Sequence, residues 1–211
     1  MVIVGAGSST RFGADKLMVQ VDGRPLIAHT IEAVRAHVDV CVVVCRPEVS
    51  SAVAALADGI TVTSGGATRT RSEMAGLAAI GPAVDLIGIH DAARPLVSPA
   101  TIERLFEVAA AEGGALPLVP YDRLIIDKGT LRPATGLAGA QTPQVFRSRE
   151  LLDAYHEAAR AGFEGHDTVE VVERFGNVRI RAIEGVEENI KVTFPGDLDE
   201  VRKRLSGPSR I

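Results

Sequence analysis

The sequence predicts one α/β domain built on a Rossmann-like, mostly parallel sheet with helices on both faces. Apolar runs of strand length alternate along the chain with helical segments, which is the order that a parallel sheet requires. The run VDVCVVVC is almost continuous in apolar residues, as expected for a strand covered on both sides, and VDLIGIH is a second buried strand. The length of 211 residues fits a single core.

The first ninety residues contain four of the predicted strands and three of the predicted helices. The strands are MVIV at the start of the chain, VDVCVVVC, ITVT and VDLIGIH, the last leading into Asp91. The helices are predicted over 25–37, 47–57 and 69–80. In the first helix Pro25 lies in the opening turn, and Leu26, Ile31 and Val34 share one apolar face.

The remainder of the chain continues this pattern after one interruption. Ser98 is a predicted helix cap with Pro99 at the first helical position, and GALPLVP predicts the next strand. Residues 120–141 lack an apolar core run, which predicts a loop or a projecting β-arm. Helices over 148–161 and 168–174, the strand VRIRAIEG and a helix that opens at Pro195 complete the domain.

Composition excludes several classes of function. A net charge of −4 argues against general binding to nucleic acid or membrane surfaces, which needs a basic excess. Cys41 and Cys45 lie four apart on one strand, so both are predicted to face the core, and no Cys/His spacing indicates zinc. No apolar run reaches the roughly 18 residues of a membrane span, and the first residues lack a leader pattern. We therefore predict a cytoplasmic protein, whose natural start is expected a few residues upstream because the chain begins inside a strand.

The loop GAGSSTRFGADK follows the first strand and predicts phosphate binding. Small residues let backbone N–H groups approach phosphate oxygens, and Arg11 and Lys16 add positive charge. The dinucleotide pattern GxGxxG fails because Thr10 replaces its third glycine, and no acidic residue closes a second strand about 20 residues on. The Walker pattern fails because Leu17 follows Lys16. The alternative is a surface turn with two solvated cations.

Five segments then occur in order: GAGSSTRFGADK, GGATRTRSEMAGL, HDAARP, QTPQVF and ENIKVT. Together they resemble the 2-C-methyl-D-erythritol 4-phosphate cytidylyltransferases of the non-mevalonate isoprenoid pathway, and ribitol-phosphate cytidylyltransferases share much of the pattern. The resemblance covers nearly the whole chain. It implies a glycosyltransferase-A-like nucleotidyltransferase domain over residues 1–211, with the arm at about 120–141. Such an enzyme moves CMP from CTP onto a small phosphorylated polyol and releases pyrophosphate, with Mg²⁺ held mainly by the triphosphate.

The resemblance also assigns residues to the nucleotide. The catalytic cations that it implies are Arg11 and Lys16 at the phosphates of CTP and Lys191 at the acceptor phosphate. The matched nucleotide-binding positions are Gly5, Ala6, Gly7, Gly66, Ala67, Ser72, Asp91 and Ala92. These types of residue fit the chemistry, because attack of one phosphate on another brings two anions together and needs positioning and neutralised charge. His90 is predicted to point to the opposite face of its strand and receives no role.

The acceptor side departs from the family. The implied acceptor-binding residues are Asp91, Arg94, Arg123, His166 and Asp167. Arg123 stands where the family has a threonine, Ala134 where it has an arginine that grips the acceptor, and His166 replaces another threonine. Arg132 is two residues from the missing arginine. Either the acceptor has changed, or it is kept and its positive charge has moved to Arg123.

The resemblance further implies a homodimer in which the arms exchange across a two-fold axis. Each arm would then contribute acceptor contacts to the neighbouring site. Three other functions compete with transfer to methylerythritol phosphate. They are cytidylyl transfer to another polyol phosphate or a phosphonate, an NAD-binding oxidoreductase suggested by the glycine loop alone, and a non-catalytic nucleotide-binding relative. The retained cations Arg11, Lys16 and Lys191 argue against the last of these.

Overall fold

The computed structural model describes residues 1–7, 12–13, 15–81, 84–121, 124–127, 129–133 and 136–206. The strands are β1 Val2–Val4, β2 Gln20–Val21, β3 Arg24–Pro25, β4 Cys41–Cys45, β5 Ile60–Ser64, β6 Leu86–Asp91, β7 Gly113–Pro120, β8 Leu124–Asp127, β9 Thr130–Pro133, β10 Ala138–Ala140, β11 Gln144–Arg147 and β12 Arg179–Glu184. The helices are α1 Leu26–Arg35, α2 Ser50–Ala54, α3 Arg69–Ile80, α4 Pro99–Glu112, α5 Ser148–Arg160, α6 Thr168–Phe175 and α7 Asp197–Leu205.

The central sheet confirms the predicted fold class. Its order is β10–β7–β11–β6–β1–β4–β5, and β12 also pairs with β7. The pairs β6–β1, β1–β4, β4–β5 and β7–β12 are parallel. Strand β11 lies antiparallel between β6 and β7, and β10 is antiparallel to β7. The sheet is therefore mixed, with a continuous parallel half formed by the N-terminal strands.

Helices cover both faces of β4, which explains its run of apolar residues. As predicted, Cys41 and Cys45 face the core, in the same buried cluster as Ile31 of α1, and both are free thiols. Val42 and Val44 point the other way, into a cluster with residues of α3 and α5. A strand whose two faces are both buried cannot alternate polar and apolar residues.

Several boundaries of helices and strands agree with the predicted ones, and others do not. Helix α3 has the predicted bounds, and Ser98 caps α4 by accepting a hydrogen bond from the Thr101 N–H. The predicted helix over 47–57 is a 3-10 turn followed by the short helix α2, and α7 begins two residues after Pro195. The strands β2, β3 and β11 were not predicted.

The described part of residues 120–141 contains three strands. Strands β8 and β9 pair with each other in a separate two-stranded sheet, while β10 returns to the central sheet beside β7. The Tyr121 N–H donates to the Leu137 carbonyl at 2.9 Å, which joins the two ends of this segment.

The register of the parallel strands brings their carboxyl ends to one edge. Val4 pairs with Val44 on one side and with Asp91 on the other, and Cys45 pairs with Ser64. The loops after β1, β4, β5 and β6 therefore meet at the edge where open α/β sheets bind their ligands.

Candidate active site

A cleft of about 600 Å³ opens at this edge of the sheet. Among the described residues that line it, four are basic and one, Asp91, is acidic. The basic residues are Lys16, Arg46, Arg69 and Lys191. The cleft is therefore locally positive in a chain of net charge −4, which favours an anionic ligand.

Glycines let the loops after β1 and β5 pass each other at the floor of the cleft. A Cβ atom on Gly65 would lie 2.1 Å from Ala6 Cβ, and one on Gly5 would lie 2.9 Å from Ala92 Cβ. The Gly5 N–H donates to the Val44 carbonyl at 2.7 Å. Only glycine fits at these approaches, and the backbone of residues 5–7 lines the cleft. The predicted catalytic Arg11 lies outside the described residues.

The segment from Gly66 to Ser72 forms a second wall. Ser72 is buried, and its hydroxyl accepts from the Gly66 N–H at 3.1 Å and donates to the Thr68 carbonyl at 2.8 Å. Thr68 caps α3 by accepting from the Arg71 N–H. These bonds fix the backbone around Gly66 and Ala67, which both line the cleft.

Lys16 crosses from the glycine loop to the opposite wall. It opens a 3-10 turn over Lys16–Met18 that Asp15 caps by accepting from the Leu17 N–H. Its Nζ donates to the Val192 carbonyl at 3.0 Å, next to Lys191. The two lysines predicted to be catalytic thus belong to walls that are in direct contact.

Asp91, at the end of β6, is the centre of a cluster of charges. Its Oδ1 accepts from Arg69 Nη1 at 2.7 Å, and its Oδ2 lies 2.8 Å from Lys191 Nζ and 3.4 Å from Arg94 Nε. Burial alone would raise the pKa of Asp91, but Arg69, Lys191 and Arg94 outweigh it and hold the pKa well below its usual value. The carboxylate is therefore ionised whenever the protein is folded near neutral pH.

A buried polar layer lies beneath Asp91. His90 is fully buried, and its Nδ1 and Nε2 lie within hydrogen-bonding distance of Thr142 Oγ1 and the Arg94 carbonyl. The Thr142 hydroxyl accepts from the Asp91 N–H at 2.9 Å, and Asn189 donates to the Thr142 carbonyl. Burial lowers the pKa of His90 to about 4. This histidine joins three segments of the site and points away from the cleft, as predicted.

The structure brings the nucleotide-side residues together more closely than the acceptor-side ones. Arg94 is buried, and its Nη1 donates to the Asn189 carbonyl at 2.6 Å. Asp167 caps α6 by accepting from the Thr168 N–H at 2.7 Å, and burial, aided by the nearby charge of Asp91, raises its pKa. His166 is exposed. Arg123 and Ala134 lie outside the described residues.

Ala92 was assigned to the nucleotide site but is buried beside the cleft, and two residues that line the cleft were not assigned to it. Ala92 is buried, with its N–H donating to the Val4 carbonyl and its own carbonyl accepting from Thr30, and its neighbour Ala93 lines the cleft. Arg46 and Arg69 line the cleft but were not predicted. Their signal was positional, because Arg46 follows a buried strand and Arg69 opens the helix after Gly66.

The described residues fit a metal ion that arrives with its ligand. Among them no group of three or more His, Cys, Asp or Glu side chains is arranged to hold a metal. Asp91 is the one carboxylate among the described cleft residues, and three cations already contact it. Magnesium commonly binds through one or two carboxylates and the phosphates of a substrate, so this set suits it.

In the described part of the chain, no helix is long and apolar enough to cross a membrane.

The fold and this cleft define the class of protein: it is a nucleotidyltransferase of the α/β type. The chain belongs to the IspD, or 2-C-methyl-D-erythritol 4-phosphate cytidylyltransferase, family, whose model matches residues 1–205. A 2-C-methyl-D-erythritol 4-phosphate cytidylyltransferase of Cereibacter sphaeroides is 38% identical over 97% of this chain and 96% of its own. One from Stenotrophomonas maltophilia is 39% identical over 98% of this chain and 96% of its own.

Longer relatives and solved structures agree with this membership. A bifunctional enzyme IspD/IspF of Granulibacter bethesdensis is 38% identical over 97% of this chain, which spans 56% of that enzyme's length. The crystal structure of 2-C-methyl-D-erythritol 4-phosphate cytidylyltransferase from Thermus thermophilus superposes with a TM-score of 0.81 at 28% identity, covering 97% of this chain and 98% of its own. A 4-diphosphocytidyl-2C-methyl-D-erythritol synthase of Anaerococcus prevotii has the same fold, with a TM-score of 0.85 over 98% and 97% of the two chains at 23% identity.

Proposed function

We propose that this enzyme transfers CMP from CTP to 2-C-methyl-D-erythritol 4-phosphate and releases pyrophosphate. One observation carries the proposal: in a locally positive cleft, Lys16 of the glycine loop contacts the segment that contains Lys191, which is paired with Asp91. Two phosphate-bearing substrates need such an arrangement, because their negative charges repel each other as they react.

Each wall of the cleft has a proposed part in the reaction. The backbone of residues 5–7 cradles the phosphates of CTP, and Gly66, Ala67 and Ser72 read the cytosine. Asp91 lies at the ribose and the junction with the acceptor, next to the buried Ala92. A phosphate oxygen of the acceptor attacks the α-phosphorus of CTP; the new P–O bond replaces the bond to the β-phosphate, and pyrophosphate leaves. Arg11 and Lys16 neutralise the transferred group, while Lys191 exchanges Asp91 for the acceptor phosphate.

Magnesium belongs to this proposal as a cofactor of the nucleotide. When bound, it supplies additional neutralisation of the triphosphate charge. Asp91 is the described carboxylate nearest to the proposed reaction, and the triphosphate itself would provide the remaining ligands. The basic side chains of the cleft orient the same phosphates.

The acceptor and the assembly are further parts of the proposal. Arg94, Asp167 and His166 belong to the acceptor side, and Arg123 reaches the acceptor of a neighbouring subunit from an arm exchanged in a homodimer. The departures at Arg123, Ala134 and His166 favour a second candidate, cytidylyl transfer to another polyol phosphate such as ribitol 5-phosphate, or to a phosphonate. We place the reaction in the cytoplasm, without nucleic acid or a membrane as partner.

The function is tested by measuring pyrophosphate release with Mg²⁺, each nucleotide and each acceptor in turn. We expect CTP to be used at least about a hundredfold better than UTP or ATP, because a site that hydrogen-bonds a polar edge rejects analogues that lack it. Turnover with 2-C-methyl-D-erythritol 4-phosphate above that with ribitol 5-phosphate supports the first acceptor. Equal use of the three nucleotides, or no acceptor-dependent release, contradicts the proposal.

A further inference from the structure

Arg69, which binds Asp91 in the cleft, is also held from behind by a buried carboxylate. Glu73 follows Arg69 by one turn of α3, so the two side chains share a helix face. Its Oε1 lies 2.9 Å from Arg69 Nε, and its residue is only 1% exposed. The Arg69 N–H at this nitrogen is not aligned for a hydrogen bond, so the contact is an ion pair.

Two neutral donors from other helices fix Glu73. The Tyr155 hydroxyl of α5 donates to Oε2 at 2.6 Å, and the Thr168 hydroxyl of α6 donates to Oε1 at 2.9 Å. Burial raises the pKa of Glu73, and Arg69 and the two hydroxyls reduce this rise without cancelling it. The geometry favours the ionised form, because two hydroxyls donate to the carboxylate oxygens and the Arg69 guanidinium lies against Oε1. The carboxylate therefore occupies one position, set by α5 and α6 rather than by the cleft.

This arrangement gives Arg69 two ends with different partners. Its Nε end is held by Glu73 in the interior, and its Nη1 end is bonded to Asp91 Oδ1. With Oδ1 occupied by Arg69, the other oxygen of Asp91 faces Lys191 Nζ at 2.8 Å. A chain of alternating charges thus runs from the helices to the lysine proposed to bind the acceptor phosphate.

Stability alone does not explain a charged pair at this place. Burying an ion pair usually contributes no more to stability than packing apolar side chains of similar volume. The surroundings of Glu73 would suit such packing, because Leu77 and Leu151 lie in the adjacent buried cluster. A fixed carboxylate does, however, restrict the orientation of an arginine that enters the cleft.

We infer that Glu73 is a positioning residue for the transfer reaction: it orients Arg69, and through Arg69 the carboxylate of Asp91 and the ammonium of Lys191. The inference rests on the proposed function. Loss of the Glu73 charge frees Arg69 to move, and misplacement of reacting groups by about 1 Å can cost about a hundredfold in rate.

The first test compares Glu73→Gln with Tyr155→Phe. Both remove part of the same buried network, but only Glu73→Gln removes the charge that holds Arg69. In Tyr155→Phe the Thr168 hydroxyl still bonds Oε1, which is the oxygen that faces Arg69. We expect Glu73→Gln to lower kcat at least about tenfold with the KM for CTP within about threefold, and Tyr155→Phe to keep kcat within about threefold at a similar loss of melting temperature. The inference is overturned if the loss of kcat is proportional to the loss of melting temperature in both variants.

A double-mutant cycle with Arg69→Met shows whether Glu73 acts through Arg69. We expect Glu73→Gln to change kcat less than about threefold in the Arg69→Met background, because the intermediary is then already missing. If Glu73→Gln lowers kcat by the same factor in the wild type and in Arg69→Met, the inference is overturned. If Glu73→Gln does not fold, the double variant Glu73→Met/Arg69→Met removes both charges together; kcat as low as in Arg69→Met supports the inference, and kcat within about threefold of the wild type overturns it.

Proton–nitrogen correlation NMR of the ligand-free protein separates this inference from the proposed function. An Arg69 Nε–H signal that is sharp in the wild type and in Tyr155→Phe, and broadened in Glu73→Gln, supports the positioning role even if the wild type shows no turnover. A signal unchanged by Glu73→Gln overturns the role while leaving the transferase activity intact.

Discussion

Lys16 is the residue whose proposed role depends most directly on charge. Its Nζ reaches the wall that contains Lys191, and its own turn is fixed by the Asp15 cap. We expect Lys16→Ala to lower kcat by about two to three orders of magnitude, the scale for losing one donor to a transition state. Steady-state pyrophosphate release measures this. Lys203→Ala, on the exposed side of α7, is the matched control and should keep full activity. Equal activity of the two variants would make Lys16 a surface charge.

The burial of His90 makes the free energy of unfolding depend on pH between about 4 and 6.5. Its folded pKa is about 4, below the ordinary value of 6.5, because burial disfavours the charged ring. The unfolded chain therefore gains a proton below pH 6.5 that the folded chain does not gain until about pH 4. The stabilisation is complete above pH 6.5 and is lost as the pH falls towards 4. We expect the loss to be about 3 kcal/mol, at about 1.4 kcal/mol per pKa unit.

Urea unfolding of the wild type and of His90→Gln at several pH values checks this prediction. The difference between the two curves should change between pH 6.5 and 4 and be flat above that range. Asp91 does not interfere, because its lowered pKa places its own loss of stabilisation below the ordinary carboxylate range. The facing charges of Asp91 and Arg94 partly cancel at the ring. A constant difference throughout the range would contradict the prediction.

At the scale of single residues, the sequence predicted site residues only where a recognisable segment assigned them a role, and it missed Arg69 within such a segment. Asp91, Lys16 and Lys191 each belong to a recognisable segment, HDAARP, GAGSSTRFGADK and ENIKVT respectively. Glu73 could not be predicted, because it lies in the middle of a helix and its partners Tyr155 and Thr168 are distant in sequence. It lies within the segment GGATRTRSEMAGL, directly after Ser72, but nothing in the sequence distinguishes it from a surface glutamate; the hydroxyls of α5 and α6 that bond it are seen only in the structure.

At the scale of elements, Gly65 tests whether the loops after β1 and β5 must touch. A Cβ there would lie 2.1 Å from Ala6 Cβ, so Gly65→Ala must separate the glycine loop after β1 from the wall that contains Gly66. We expect the KM for CTP to rise at least about tenfold and stability to fall by about 1–3 kcal/mol, the usual cost of overpacking.

Gly196→Ala is the control for this substitution. Gly196 precedes α7, has a φ of −63°, and no atom lies within 4 Å of an added Cβ, so the control should keep both the wild-type KM and stability. Titration of CTP in the steady state, together with thermal unfolding, distinguishes the two variants. An unchanged KM in Gly65→Ala would show that the loops need not approach each other to bind the nucleotide.

The strength of the local signal explains which elements were predicted. Helix α3 and strand β4 were found because their patterns are long and uninterrupted. The β2–β3 hairpin was missed although Asp22 and Gly23, with φ values of 47° and 75°, form the Asp-Gly turn typical of two-residue hairpins. Strand β11 was missed because its four residues carry no alternation, and only pairing with β6 and β7 makes them a strand.

At the scale of the whole molecule, the nucleotide site lies within one chain, whereas the proposed acceptor site also uses residues of a second chain. The described cleft contains every predicted nucleotide-side residue except Arg11, which is not described, and Ala92, which lies behind Ala93. In our proposal the acceptor side also uses residues 120–141, whose described part joins the central sheet through β7 and β10. Fold and nucleotide could therefore be predicted from sequence, whereas the choice of acceptor depends on side chains that distant segments, and in our proposal a second subunit, bring together.

Mixing two impaired variants, at an acceptor concentration well below the raised KM of Arg123→Ala, tests that proposal. Lys16→Ala keeps the arm and loses the catalytic cation, while Arg123→Ala keeps Lys16 and loses the proposed acceptor contact. In an exchanged homodimer, one site of each mixed dimer would combine the intact Lys16 of one subunit with the intact arm of the other. Random mixing makes half of the dimers mixed, so about one quarter of the wild-type activity should return.

The measurement is acceptor-dependent pyrophosphate release after the two variants are co-refolded, with sedimentation to establish that dimers are present. Each variant refolded alone is the control and should stay at its own low activity. Arg123→Ala alone should raise the KM for the acceptor while CTP binding stays nearly unchanged, because its guanidinium would bind the acceptor phosphate at two points. If the mixture is no more active than the average of its parts, the arm serves its own subunit, and a monomer in sedimentation would end the shared-site hypothesis.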